Sequence, residues 1–365
     1  MIPVEYYTSV YYFILSLCVL LMVLPLFKYT NLDGYSKSVL NFKSAILLIV
    51  VIGFIGLRDP WGNWRYFGDT GVYTRLYESL STGGDFDATK DLGFYVYMKL
   101  CGNFMNIQLF YVTCALLYVI PPYLAFKKWF KKNAFYALAL FVVSMSFWSF
   151  GINGIRNGLA TSFLIYAFSI VDKKIKMAIF MLLAISFHKS ALLPIVAYFI
   201  TLKFTNTKAL IRIWIFMVIF SFLFGDSIES FIQDLIGYND FTDTTRTKNL
   251  YANKLDGKVI ERGYRLDFIL YSGFAILLGY IYIIKKKVRD TFYIQLLNVY
   301  LISNTVWVIL IYAAFTNRIA YLSWFLMPIV MIYPLLKYRI FTNQSRMIAY
   351  LIFGSLMFTL LLNIS

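Results

Sequence analysis

The 365-residue chain contains one histidine and three cysteines. A single imidazole excludes multi-histidine metal sites and bis-histidine haem ligation. Cys18, Cys101 and Cys114 lie in apolar segments without C-x-x-C spacing, so neither a disulfide framework nor a zinc site is indicated. Charge is scarce as well, at 14% of residues, where soluble domains carry about 25%. No glycine-rich phosphate loop of P-loop form occurs, which argues against nucleotide-driven transport. Low-complexity tracts and repeats of 20–50 residues are missing. A cleavable leader is not expected either, since Glu5 precedes the first apolar run and no small-residue cleavage site follows it.

What fills the chain is hydrocarbon. Apolar residues make up 60% of it and the mean hydropathy is +0.69. One aqueous fold cannot hide that much apolar surface, because much of any folded surface must face its solvent. The solvent is therefore mostly lipid. The 35 Phe, 30 Tyr and 7 Trp flank many of the apolar runs, where interfacial belts belong. The composition predicts an all-α polytopic integral membrane protein.

Apolar spans fall at about 6–27, 44–57, 108–126, 134–150, 155–171, 177–188, 189–202, 209–225, 267–284, 292–315, 318–336 and 347–363. Those at 44–57, 177–188 and 189–202 are short for a bilayer, which takes about 20 residues. The segment 91–107, with Asp91, Lys99, Gly93 and Gly102, reads as interfacial. Twelve crossings alternate the loops between two sides. One side holds 20 cations and three acids, including Lys127, Lys128, Lys131 and Lys132 and the run Lys285–Arg289; the other holds 14 cations and 15 acids. The positive-inside rule assigns the first side to the cytoplasm. The net charge of +16 is thus a topology signal and not a nucleic-acid footprint. The outward side is rich in arginine, eight of its 14 cations against four of 20 inside. Topology alone does not ask for that, whereas a guanidinium grips phosphate through two donors.

The long connections, 58–107 and 226–266, both face outward. The first begins Arg58-Asp59-Pro60 and continues Gly68-Asp69-Thr70 to Tyr73. Asp69 is placed to cap a short helix from Thr70 to about Leu80, which puts Tyr73 on its own face one turn later. The second opens as an amphipathic stretch around Ile228–Leu235 and ends Arg262-Gly263-Tyr264-Arg265.

Taken in order, Arg58-Asp59 … Gly68-Asp69-Thr70 … Tyr73, then Gly154-Ile155-Arg156-Asn157-Gly158, then Ser186-Phe187-His188-Lys189-Ser190, then Arg318, resemble the EpsG-type family of bacterial polysaccharide loci. That family is related in role to Wzy O-antigen polymerases. The likeness covers about 50–340, and Asn157 stands where related members often carry Gln. It implies a glycosyltransferase of the bacterial inner membrane, similar in fold to GT-C enzymes and needing no cofactor; with few outward acidic clusters of tight spacing, the reaction is expected to be metal-independent. Such an enzyme polymerises undecaprenyl-diphosphate-linked oligosaccharides on the outer leaflet, amid membrane lipid, and a chain-length regulator protein is a partner it leaves open. A lipid-linked oligosaccharide flippase and a ligase to lipid A core remain the alternatives.

The residues suit that chemistry. A departing diphosphate needs positive charge where its negative charge accumulates. Arg156 and Arg318, at outer span ends with little other charge beside them, are the diphosphate-binding candidates, against the plainer role of snorkelling anchors. Arg58 either binds substrate or pairs with Asp59; Arg265 either binds substrate or is a rim charge near Asp267. His188 falls at a break between short spans, beside Lys189 and Ser190, and reads as a phosphate or leaving-group contact kept neutral by Lys189, or as a histidine satisfied by a carbonyl. Asp69 is the candidate base for the acceptor hydroxyl, or simply the helix cap, and Tyr73 offers a stacking face.

Overall fold

A computed structural model describes residues 2–30, 32, 35–85, 91–237, 254–255, 258–259, 263–313 and 316–364. It is helical, apart from a two-residue antiparallel hairpin, Lys254–Leu255 with Lys258–Val259. The chain is a polytopic membrane protein, and it divides into two compact units, Met1–Leu192 with Ile332–Ser365, and Leu193–Met331.

The first unit begins with α1 (Val4–Val23) and α2 (Lys37–Gly56). Ser36 starts α2 by accepting from the Val39 amide at 3.3 Å. Two short helices, α3 (Trp64–Phe67) and α4 (Thr70–Ser81), and α5 (Leu92–Gly102) form the first long connection. Then come α6 (Ile107–Phe130), α7 (Ala134–Val142), α8 (Met145–Ile152), α9 (Ile155–Ser169) and α10 (Lys174–Phe187). The chain reverses after α6 at Lys131, whose φ is +51°, and the Phe126 and Phe141 rings meet at 5.6 Å. The last helix of the chain, Gln344–Ile364, packs on α1, α7 and α8.

Hydropathy predicts twelve crossings, but eight helices among the described residues are long and apolar enough to span. The difference arises in the middle of the first unit and at the predicted span 189–202, whose helix α11 (Leu192–Thr201) has only 10 residues. The predicted span 134–150 is broken at Val143–Ser144 into α7 and α8, and α9 and α10 stop at 15 and 14 residues. Every residue of α7 and nearly every residue of α9 is buried, so these two are sheathed in protein, whereas α10 buries one face and exposes Ile175, Ile179 and Leu182. Irregular backbone survives at membrane depth only under such cover. At the α7–α8 break the freed carbonyls are taken up by side chains: Ser144 Oγ donates to Phe141 O at 2.7 Å and Thr359 Oγ1 to Val143 O at 2.7 Å. By contrast α1 and α2 present exposed Phe13, Leu21, Phe42 and Ile49, the faces that lipid covers.

The second unit contains α11 (Leu192–Thr201), α12 (Thr207–Gly237), α13 (Leu266–Tyr280), α14 (Thr291–Ile309) and α15 (Thr316–Trp324). The amphipathic stretch expected to open the second outward loop continues α12 beyond a kink at Phe224. Most of the polar stretch that follows, with Arg262, lies outside the described residues. Part of the core of this unit is a polar network around Asn304. Asn304 donates to Ser272 Oγ at 3.1 Å and Ser323 Oγ at 2.9 Å, and accepts from Trp214 Nε1 at 2.7 Å. Such pairs join spanning helices where water cannot.

Candidate active site

Two linked clusters form in the first unit, where α4, α5, α9 and the end of α10 converge. The first is built on Arg58, just past the end of α2 and fully buried. Its Nε donates to Thr70 Oγ1 at 3.1 Å, its Nη1 donates to Ile55 O, and its guanidinium lies 4.1 Å from the Tyr111 ring centroid. Nη2 has no hydrogen-bond partner among the described residues, and burial lowers the pKa of the group. The alternative, a pairing with Asp59, is not made; the Asp59 carboxylate accepts from the Trp61 amide at 2.9 Å instead. Thr70 hands the bond on, its hydroxyl donating to Ile152 O at 3.0 Å. The Arg-Asp and Asp-Thr motifs therefore act together, tying the end of α2 to the start of α4 and the end of α8.

Gly68 allows that junction. Its φ is +54°, and a Cβ there would lie 2.3 Å from Asn153 Cγ, so both conformation and space require glycine. The close approach lets the Asp69 amide donate to Asn153 Oδ1 at 2.9 Å. The helix predicted from Thr70 is present as α4, but the Asp69 side chain makes no capping bond to it.

The second cluster centres on Asp91, whose side chain is 0% exposed. Its Oδ2 accepts from Arg156 Nη1 at 2.7 Å and lies 3.4 Å from His188 Nδ1; its Oδ1 accepts from the Lys189 amide at 3.0 Å. Burial pushes this carboxyl up, but His188, Arg156 and the Lys189 amide outweigh it and hold its pKa well below the usual carboxylate range. Arg156, expected to stand nearly alone, is thus partly exposed and paired with a fully buried carboxylate. Its Nε reaches the Tyr73 hydroxyl at 3.4 Å, and its guanidinium lies 5.8 Å from the Tyr73 ring. Tyr73 is itself buried and packs edge-on against Phe94 at 5.7 Å. It supports the arginine, and the stacking face expected from sequence is covered.

His188 occupies the break expected from sequence, in extended backbone (φ −156°, ψ 112°) between α10 and a single 3-10 turn at Lys189–Ala191. The Lys189 charge was the neighbour visible in sequence; the carboxylate near its Nδ1, of opposite sign, was not. The side chains of Lys189 and Ser190 are exposed. Glycine again permits the approach: a Cβ on Gly93 would come within 2.2 Å of Ser186 Oγ and 2.7 Å of Ser186 Cβ, so α5 begins tight against the end of α10.

Arg265 and Arg318 belong to the second unit. Arg265 grips Asp267 with two bonds, Nε–Oδ1 at 2.9 Å and Nη2–Oδ2 at 2.6 Å, and lies 3.6 Å from the Phe268 ring. Arg318 is exposed in the first turn of α15. Among the described residues, no three His, Cys, Asp or Glu side chains gather as metal ligands.

Asp91 was the residue missed from sequence. An acid before an apolar helix reads as an N-cap or a loop charge, yet Asp91 makes no side-chain cap on α5. Its acceptors are spent on donors 65 to 98 positions away, which no local pattern signals. Comparison with curated proteins and with solved structures finds no match. The family comparison does match, over residues 41–365. That range includes both clusters and all the motifs that build them, and on it the chain belongs to the EpsG family.

Proposed function

We propose that the protein is a polysaccharide polymerase that joins lipid-diphosphate-linked oligosaccharide units at the outer face of a bacterial inner membrane, in a fold of the GT-C kind. Family membership supports polysaccharide polymerisation. The observation that carries the chemistry is the Asp91–Arg156–His188 cluster. It gathers a guanidinium and an imidazole on one buried carboxylate, from segments that the charge alternation assigns to one side. The grouping of the opposite set agrees with that alternation: Lys128 pairs with Asp172 at 2.6 Å and Arg346 Nε donates to Phe27 O.

In this reading the acceptor hydroxyl attacks the anomeric carbon of the donor. The carbon–oxygen bond to the diphosphate breaks, and the electron pair leaves on the diphosphate oxygen. Arg156, with Nη1 and Nε engaged and its side chain 25% exposed, has Nη2 left to give to that oxygen. His188 assists there, and Lys189 and Ser190 are further contacts for diphosphate or glycan. Asp69 takes the proton of the acceptor hydroxyl. Arg58 and Tyr73 act as the framework beneath.

The test is the glycan profile of a strain lacking this chain, with and without complementation. Loss of long chains while single units still reach the surface is the expected result. Loss of all surface glycan overturns the polymerase reading and points to a flippase or a ligase.

A further inference from the structure

We infer that Asp91 is the positioning residue of this site, holding Arg156 and His188 in the orientation that receives a lipid-linked diphosphate. The inference rests on the polymerase reading for its ligand, and on geometry for its substance. Two donors and an imidazole nitrogen meet at this carboxylate: Arg156 Nη1 from the first turn of α9, the amide of Lys189, and His188 Nδ1 from the break after α10, which bonds to it in the tautomer protonated at Nδ1. A carboxylate is acceptor-only, so it satisfies all three at once. An asparagine in its place brings an NH2 group against one of them, and a buried donor facing a donor is costly.

The same geometry decides which atoms remain for a ligand. With Nη1 on Asp91 and Nε toward Tyr73, the fork of Arg156 presents Nη2. With Nδ1 against Asp91, exchange between His188 and a ligand falls to Nε2. The Lys189 amide pins the backbone of the break itself, in the extended conformation that a helix does not supply. A structural ion pair alone would not need this. Buried pairs contribute little to stability compared with apolar packing of the same volume, whereas this one sets two functional side chains from separate segments against a single group.

The experiment uses the full-length enzyme in lipid nanodiscs with an undecaprenyl-diphosphate-linked repeat unit as substrate. Asp91→Asn is expected to raise KM for that unit about tenfold or more, the scale of one charge-assisted hydrogen bond, while the folded fraction melts as one transition. In an Arg156→Ala background the same substitution is expected to raise KM by a smaller factor than in the wild type, because the part of its effect that runs through Arg156 is already lost. Asp91→Glu keeps the charge and adds one methylene; it covers the case in which the asparagine variant fails to fold. A displaced guanidinium predicts a severalfold higher KM in the glutamate variant, whereas a purely structural pair predicts the wild-type value. Wild-type KM in the folded variants overturns the role of Asp91 and leaves the polymerase reading standing. No turnover by the wild-type enzyme overturns that reading first.

Discussion

Arg156 spends Nη1 on Asp91 at 2.7 Å and Nε on the Tyr73 hydroxyl at 3.4 Å, so lysine in its place keeps a charge and loses the fork. The two common replacements should then separate fold from function. Arg156→Ala leaves a carboxylate with no exposed surface missing its main counter-charge, which costs about 3–5 kcal/mol of stability. Arg156→Lys retains a cation near Asp91 and should keep most of that stability, yet lose polymerisation about tenfold or more for want of a planar pair of donors. Thermal melts in detergent and glycan chain length at equal expression check both. Wild-type chain length in the lysine variant would reduce Arg156 to an anchor, the role a snorkelling arginine fills without the guanidinium geometry.

At the scale of elements, the site depends on how closely helices can start and stop beside one another. α5 begins against the end of α10 because Gly93 has no side chain, and a Cβ there meets Ser186 Oγ at 2.2 Å and Cβ at 2.7 Å. Rotating the serine hydroxyl away relieves the first clash and not the second, so the backbone must shift. Gly93→Ala is therefore expected to move Asp91 away from the Lys189 amide and depress activity severalfold, although residue 93 touches no ligand-binding group. Gly93→Ala combined with Ser186→Gly removes the two closest obstructing atoms, leaving the residue 186 carbonyl carbon at 3.1 Å, and should recover much of the loss. Activity of the single and double variants, normalised to folded protein, is the measurement; an unaffected Gly93→Ala would show that the α5–α10 spacing is not what holds Asp91. The interrupted helices follow the same logic. α7 and α8 stop and restart inside a protein sheath, and Ser144 and Thr359 take up the exposed backbone at the break.

For the whole molecule, the decisive quantity is sidedness. Twenty cations against three acids on one set of loops, and near balance on the other, predict that the connection containing Thr82 faces out and the turn at Lys131–Asn133 faces the cytoplasm. Cysteine at Thr82, which is exposed, should label with an impermeant maleimide in intact, outer-membrane-permeabilised cells, and cysteine at Asn133 should not. The reverse pattern would put the Asp91 cluster on the side away from a translocated substrate and end the polymerase reading.

Membrane residence, the helical class and the family were legible in the sequence. Apolar length and the distribution of Lys and Arg are one-dimensional quantities, and the motifs at 58–73, 154–158 and 186–190 stand in order along the chain. The break at His188 and the helix from Thr70 were legible because apolar periodicity and its interruption are local, although the Asp69 side chain does not make the cap on which the Thr70 helix was read. The number of full crossings was not. Whether a 15-residue apolar helix spans or is sheathed depends on what packs around it, as the near-complete burial of α9 shows. Asp91 was hidden for a related reason. An acid in a run with Asp85 and Asp87 looks like solvated loop charge until the fold brings Arg156, His188 and the Lys189 amide to its two oxygens. Only tertiary structure decides the partners of a buried charge, because the energy that selects them is set by distance in space and by exclusion of water.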